Sequence, residues 1–438
     1  SVGLQLSFTA MFGMLTVAPA IYRAITKWAF AAGKQKGKAG LPQRFYKNTA
    51  LAVLAAFSST LGALSFSTPI AALYFGYFSL IGILVNALIF ALVSASFILG
   101  YLSCIIGVAW LSFGEVLGAV TSFFAELMIK IISLGAKAPY AALYTEGSAF
   151  GMWLILVYAI IILCYIFRPK KGFRPYIPLS LAVISLCSVI IIYEIRLEHS
   201  PDTVRIIDVG QGQSLILTSG RHTAVIDCGG KGKLGNAGDT VAARLLREGR
   251  RSIDFLALTH FDDDHVNGVI RLMCRIEVER ILIPPDDFER SACIEILEFA
   301  ASKGVPVYVI NEDSEVKAGD MELFVFAPED DKLKALMYLG KLKEFELMVT
   351  GDAYSSDERR LLRRQELPDV DLMIAGHHGS KYSSSEGLLK ALRAEYAAVS
   401  SGYNNYGHPA PEALGRFAKA GMAVYRTDLH GDIVFYIS

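Results

Sequence analysis

The stretch T-H-F-D-D-D-H-V-N-G at residues 259–268 follows the apolar run D-F-L-A-L and sets His260, Asp262, Asp264 and His265 within six residues. A short apolar run of this kind reads as a buried strand. A strand end that spills into a loop presents such side chains together. Imidazole and carboxylate are the donors expected for zinc, manganese or iron, and two sets of them can hold two metals a few ångströms apart. An isolated H-x-D pair would mean little. The compact H-x-D-x-D-H, followed by Gly268 and a predicted helix, points to a metal site.

Other strand ends supply what a second half-site needs. F-E-L-M-V-T-G-D ends at Asp352, whose carboxylate can bridge two cations. D-L-M-I-A-G-H-H-G-S places His377 and His378 at the next strand end, side by side and pointing different ways. One ligates, and the other binds phosphate or packs. N-N-Y-G-H-P holds His408 before Pro409, a rigid loop position. His199, His222 and His430 have no such setting and read as structural or surface residues. Short strand-like runs (V-R-I-I-D-V-G, S-L-I-L-T-S, T-A-V-I-D-C-G-G, R-I-L-I-P-P, V-P-V-Y-V-I, E-L-F-V-F-A-P, Y-A-A-V-S-S-G, D-I-V-F-Y-I-S) alternate with helical patterns at 240–247, 292–303, 356–364 and 385–392. The expected class past residue 203 is α/β, with layers around buried sheets.

The residues before this region are different in kind. Through Ser200 there are five acidic residues (Glu115, Glu126, Glu146, Glu194, Glu198) against 37 beyond it, so the overall net charge of zero splits into +9 and −9. That asymmetry predicts domains at 1–200 and 201–438. Neither has the basic balance of a nucleic-acid-binding domain. The six cysteines (Cys104, Cys164, Cys187, Cys228, Cys274, Cys293) include no C-x-x-C pair and read as unpaired, largely packing residues. The start is apolar without the ordered regions of a signal peptide, and the missing initiator Met suggests a piece of a longer protein.

A membrane-crossing helix takes roughly 20 mostly apolar residues. Stretches at 2–21, 49–64, 71–93, 96–111, 153–167 and 177–193 meet or approach that test. Small residues recur inside them, such as Ser58, Ser59, Gly62 and Gly100, which lets helices approach closely. The first domain is therefore expected to be a multi-span helix bundle. Arg23, Lys27, Lys34, Lys36, Lys38, Arg44 and Lys47 crowd the first loop with no acid, and Arg168, Lys170, Lys171 and Arg174 crowd the last. By the positive-inside rule both loops are cytoplasmic, so the final helix delivers the acidic domain to the outer face. The first loop is expected to touch lipid headgroups rather than nucleic acid. In 115–137, Glu126 and Lys130 break the apolar pattern at helical spacing, which predicts an interfacial helix, with a pore-facing one as the alternative. Counting it as another span would put the two basic loops on opposite sides.

The motifs D-V-G-Q-G-Q-S, V-I-D-C-G-G, H-F-D-D-D-H-V-N-G, V-T-G-D-A, G-H-H-G-S-K-Y-S-S-S, S-G-Y-N-N-Y-G-H-P and R-T-D-L-H-G-D-I, in this order across 203–438, resemble the metallo-β-lactamase fold and specifically the ComEC family of DNA-uptake channel proteins. The N-terminal S-V-G-L-Q-L-S-F-T-A-M-F-G is similar to the competence-type membrane domain of that family. The resemblance implies a membrane helix bundle followed by an αββα sandwich, in a multi-pass protein of the cell membrane. It implies two divalent metal ions. Asp262 stands where most of the superfamily has a second His, a substitution usual in this family, and it shifts the expected metal toward manganese, with zinc the alternative. His260 and Asp262 are assigned to one metal, Asp264 and His265 to the other, Asp352 as the bridge, and His377 or His378 as a further ligand. Such cations activate water and clamp the phosphodiester oxygens. His408 and Lys381 are candidates to stabilise phosphate charge or the leaving oxygen, and Asp264 to accept a proton, weakly. Ahead of F-E-L-M-V-T-G-D the family often shows an N-x-S element. Here the chain reads E-D-D-K-L-K-A-L-M-Y-L-G-K-L-K-E-F, so a contact supplied by that element is expected to be absent.

The function implied is DNA uptake in transformation, with an outer domain that cuts one strand while the bundle passes the other. DNA, the lipid bilayer and other DNA-uptake proteins are the implied partners. The alternatives are a non-catalytic DNA channel with a degraded metal site and an envelope phosphodiesterase. The −9 charge predicts weak, metal-dependent DNA engagement.

Overall fold

The computed structural model describes residues 1–29, 41–138, 140–145, 149–166, 176–231, 235–285, 289–328 and 335–437. The basic loop at 30–40, the side chains of Arg44 and Lys47, the turn at 167–175 and the stretch E-D-D-K-L-K at 329–334 lie outside the described residues. The chain divides into two compact units, Ser1–Val189 and Ile190–Ser438.

Helices α1 (Val2–Thr16), α2 (Ala18–Ala29), α3 (Leu41–Phe75), α4 (Gly82–Ala109), α5 (Leu111–Ala136), α6 (Ala149–Ile166) and α7 (Tyr176–Glu198) account for nearly all of the N-terminal region. Five stretches are long and apolar enough to cross a membrane: Val2–Lys27, Thr49–Phe75, Leu88–Ala109, Leu111–Ala136 and Ser180–Glu198. Ala149–Cys164 is a shorter apolar helix. Strands β1 (Tyr77–Ser79) and β2 (Ala142–Tyr144) pair antiparallel, which ties the α3–α4 turn to the α5–α6 turn at one end of the bundle.

Two expectations change. The segments 71–93 and 96–111 are not two spans but the end of α3, β1 and one continuous α4. The Ser94–Ser96 region resembled a break, yet Ser94 donates its hydroxyl to the Phe90 carbonyl 3.0 Å away, one turn back, and the helix continues. The real break is at Gly76, at φ +71°. The segment 115–137 is not a lone interfacial helix either. It belongs to α5, which runs antiparallel along α4 from Gly107 against Gly114 to Val85 against Gly135. A Cβ on Gly114 would lie 2.5 Å from the Gly107 Cα, and the Ser103 hydroxyl donates to the Gly114 carbonyl at 2.6 Å. Backbones this close need glycine at the crossing.

The second unit is a sandwich of two seven-stranded sheets. The first carries, in spatial order, Val307–Val309, Ile281–Ile283, Phe255–Ala257, His222–Ile226, Leu215–Ser219, Asp202–Ile206 and Ile433–Ile437. The second carries Ser314–Ala318, Met321–Phe326, Met337–Leu342, Phe345–Val349, Leu372–Ile374, Tyr396–Val399 and Ala423–Arg426. Side chains alternate between faces, and both faces are buried. Leu215, Leu217, Ala224, Ile226 and Phe255 meet Leu323, Tyr338, Leu347, Val349 and Leu372 between the sheets. The intervening Ile216, Val225 and Leu256 pack outward on helices Ala237–Arg247 and Ser291–Lys303. Met348, Met373, Ala397 and Val399 pack on Ser355–Arg364, Glu386–Leu392 and Pro411–Lys419. Burial on both faces explains why these strands read as apolar runs rather than alternating ones. The αββα sandwich expected from the resemblance is the observed fold. The stretch A-L-M-Y-L-G-K-L-K-E-F holds a strand the sequence reading did not separate: Met337–Leu342 forms a hairpin with Phe345–Val349, turning at Lys343 with φ +54°.

Candidate metal centre

Strands Phe255–Ala257, Phe345–Val349, Leu372–Ile374 and Tyr396–Val399 release their loops from their carboxyl ends to a common cleft of about 520 Å³. Open α/β sheets place their sites at such strand ends. The first loop brings His260 and the short helix Asp263–Val266, the second Asp352, the third His377 and His378, and the fourth His408.

The structure gathers these donors in two triads that share His265. His260, His265 and Asp352 offer atoms within 4.8 Å of one another, and so do Asp264, His265 and His378. His265 Nε2 is 3.1 Å from Asp352 Oδ1, and His378 Nε2 is 3.2 Å from Asp264 Oδ2. The other ring nitrogen of each histidine is already engaged. Nδ1 of His265 meets Asp227 Oδ2 at 2.7 Å, Nδ1 of His378 meets the Ser400 carbonyl at 2.9 Å, and Nδ1 of His260 meets Thr259 Oγ1 at 2.9 Å. Their Nε2 atoms are buried and, among the described residues, have no hydrogen-bond partner, and the same holds for Asp352 Oδ1. Buried polar atoms are almost always satisfied. Three orphaned imidazole nitrogens and a carboxylate oxygen converging on one spot are the donor set a divalent cation fits.

The remaining predicted residues sit around this core. Asp262 is half-exposed, 3.5 Å from His260 Nε2, and paired with Arg290; it stands outside both triads. His377 Nε2 is 3.4 Å from Asp352 Oδ2, and His408 lines the cleft with its ring 5.4 Å from that of His377. Lys381 is exposed, with its ammonium 5.0 Å from the Tyr382 ring centroid, and is not among the residues lining the cleft. His199, His222 and His430 bond elsewhere, to the Ile195 carbonyl, Asp254 and the Arg426 carbonyl.

The electrostatics follow from this crowding. Burial raises the Asp352 carboxyl, but the charge on His265 and the close imidazoles of His260 and His265 outweigh it and hold the group far below the usual range. Burial opposes the charged form of His265, yet the Asp227 and Asp352 carboxylates raise its pKa well above the ordinary value of 6.5. Burial and the neighbouring His265 oppose the charge on His260; the nearby Asp262 and Asp352 carboxylates more than reverse this. His377 and His408 shift the other way: burial lowers both.

Sequence reasoning missed the residues that aim the donors. Asp227, at the end of T-A-V-I-D, also accepts from the Thr259 amide and hydroxyl and from Gln213. An aspartate closing a buried strand before two glycines was the available signal. Gly229 is needed there, because a Cβ would lie 2.2 Å from the Asp264 carbonyl carbon. His377 and His378 both have positive φ, 50° and 55°, strained for side-chain-bearing residues. Their loop is held from two sides. The buried Glu358 accepts from the Ser384 and Ser385 amides, and Arg416 donates to the Ser383, Ser384 and Lys381 carbonyls.

Residues 1–172 match the competence protein family, and residues 207–402 match the metallo-beta-lactamase superfamily. A competence-protein segment followed by a metallo-beta-lactamase segment is the two-part order that the chain shares with the ComEC family. Among its ComEC-type relatives, ComE operon protein 3 of Bacillus subtilis is 27% identical over 54% of this chain and 33% of its own length. Competence protein ComA of Neisseria gonorrhoeae is 26% identical over 72% of this chain and 46% of its own length. Recombination protein 2 of Haemophilus influenzae is 25% identical over 58% of this chain and 31% of its own length. The chain thus spans between about a third and just under half of the curated relatives it matches. Among solved structures, the metallo-beta-lactamase fold protein YhfI from Bacillus subtilis covers 53% of this chain and 99% of its own at 14% identity and a TM-score of 0.39. The short form of human tRNase Z covers 54% and 99% at 12% identity and a TM-score of 0.36. Both triads fall within the metallo-beta-lactamase match.

Proposed function

We propose that this chain is part of a DNA-uptake protein with a membrane domain at 1–200 and, at 201–438, a domain that hydrolyses phosphodiester bonds of one DNA strand while the bundle passes the other. The observation that carries the reading is the pair of triads meeting at His265, with their Nε2 atoms unsatisfied. His260 and Asp352, with Asp262 at the rim, would hold one divalent cation, and Asp264, His265 and His378 the other, with Asp352 between them. Manganese or zinc bound there would supply an activated water and neutralise the charge gathering on phosphate. Asp227, Ser400 and Thr259 fix the imidazoles so that no ring must turn when substrate arrives. His377 and His408, held neutral by burial, can donate to phosphate oxygens from one face of the cleft. Asp264 is a weak base. Burial raises its carboxyl, but the adjacent His378 and the neighbouring His265 imidazole outweigh it and hold the group below its ordinary value.

The hydrolase domain is assigned to the outer face. With the shorter apolar α6 counted as a crossing beside α3, α4 and α5, the number of crossings between the two basic loops is even, and the β1–β2 pairing joins the two turns expected at one end. Fusing 71–93 and 96–111 into fewer spans and adding α5 leaves the parity unchanged, so both basic loops stay cytoplasmic. DNA, the bilayer and other uptake proteins are the proposed partners.

The test uses the full chain in detergent: bound metal is measured, and cleavage of single-stranded and duplex DNA is followed with manganese, zinc and chelator. Metal-dependent cleavage that disappears in Asp264→Ala is expected. A metal-binding chain that never cuts DNA would favour a non-catalytic channel, and turnover of phosphocholine esters alone would favour an envelope phosphodiesterase.

A further inference from the structure

Beside the cleft, the loop from Gly402 to His408 is built around one side chain. Asn404 donates to the Gly402 carbonyl at 2.8 Å and the His408 carbonyl at 2.7 Å, and accepts from the Tyr406 amide at 3.1 Å and the His408 amide at 3.0 Å. This tightly bonded loop displays two tyrosines to solvent: Tyr403 is 95% exposed and Tyr406 77%. Scattered surface aromatics need no explanation. Tyr406 opens a row of rings, and Tyr403 shares its loop. The Tyr406 ring lies 6.0 Å from His408, His408 5.4 Å from His377, and His377 5.6 Å from Tyr354, so a row of rings runs along the candidate metal centre. Tyr354 is half-exposed, and the next residue's amide and hydroxyl both donate to the carbonyl of the exposed Tyr382, beside Lys381.

The charge of the domain limits what else could hold a nucleic acid. A domain of net −9 gains little from phosphates away from its cations, so counterion release supplies little affinity. Base–aromatic stacking is independent of that field, because every base has a π-face. Pre-ordered rings also lose little freedom on binding. A duplex keeps its bases stacked on each other and offers the rings none. Resting on the reading of DNA as substrate, we infer that Tyr403 and Tyr406, continued by Tyr354 and Tyr382, form a base-stacking platform that selects single-stranded DNA and lays its backbone across the metal centre. Asn404 is the positioning residue of that platform.

The test measures fluorescence anisotropy of the full chain in detergent and manganese, with nuclease-resistant phosphorothioate probes: a short oligothymidylate, an abasic strand of equal length and a duplex. The oligothymidylate should bind tightest, with a shallow salt dependence. Tyr403→Ala and Tyr406→Ala should each weaken it by about fivefold to a hundredfold while the Phe variants retain binding. Asn404→Ala should weaken the oligothymidylate and leave the abasic strand unchanged. Equal binding of the abasic strand, or Ala variants that match the unmodified chain, overturns the platform while leaving DNA as a ligand. No binding of any strand overturns the platform and the DNA reading together. Hydrolysis of a small aryl phosphodiester by the unmodified chain separately reports whether the centre is catalytic.

Discussion

Asp227 and His265 face each other through a 2.7 Å hydrogen bond, both with fully buried side chains, and this contact decides which nitrogen of His265 looks into the cleft. Asp227 takes Nδ1 and leaves Nε2 toward Asp352. Replacing Asp227 by Asn keeps the shape but weakens the hold on the ring. Divalent metal affinity should fall roughly 10- to 100-fold, the usual cost of losing an outer partner of a ligand. Competition with a chelating dye checks this, and an unchanged affinity would remove Asp227 from the centre.

The same carboxylates set a pH dependence. In the cation-free protein the neighbouring carboxylates raise the pKa values of His260 and His265 above the ordinary imidazole value, which favours their protonated forms. A cation must displace those protons, and its apparent affinity should therefore rise with pH, with proton release on binding. Calorimetry in two buffers of different ionisation enthalpy reads the proton count. In the cation-free protein the raised values also add stability that is fully present below the unfolded imidazole value of 6.5 and lost as pH rises through the folded values.

Glu358 holds the strained His377–His378 loop through two backbone amides while being completely buried. Glu358→Ala removes the acceptor and leaves those two amides unpaired. We expect a loss of roughly 2 kcal/mol in the stability of this domain, read by denaturant unfolding, with metal binding weakened in parallel. Retained stability would mean the loop is held without Glu358.

In the bundle, Gly114→Leu would drive a side chain into the Gly107 backbone. The α4–α5 hairpin should open at that end. A cysteine pair engineered across the crossing should cross-link in the unmodified sequence and fail to do so in the variant.

The sequence by itself determined the α/β class and pointed to the two-part organisation and to the residues proposed as donors. Acidic residues almost vanish before Ser200, and chemistry-bearing residues end short apolar strands. Those signals are local, and backbone geometry at a strand end needs nothing distant to make them legible. Tertiary structure alone decided the rest. That His265 belongs to both triads, that Asp262 turns to Arg290, and that His378 rather than His377 meets Asp264 all depend on loops from two different sheets meeting at one edge. The alignment of Nε2 atoms depends on Asp227 and Ser400, about 38 and 22 residues from the rings they hold. In the bundle, the break between helices was misread because uniform apolarity masks it: a serine can bond one turn back and keep the helix intact, while a single glycine at positive φ ends it.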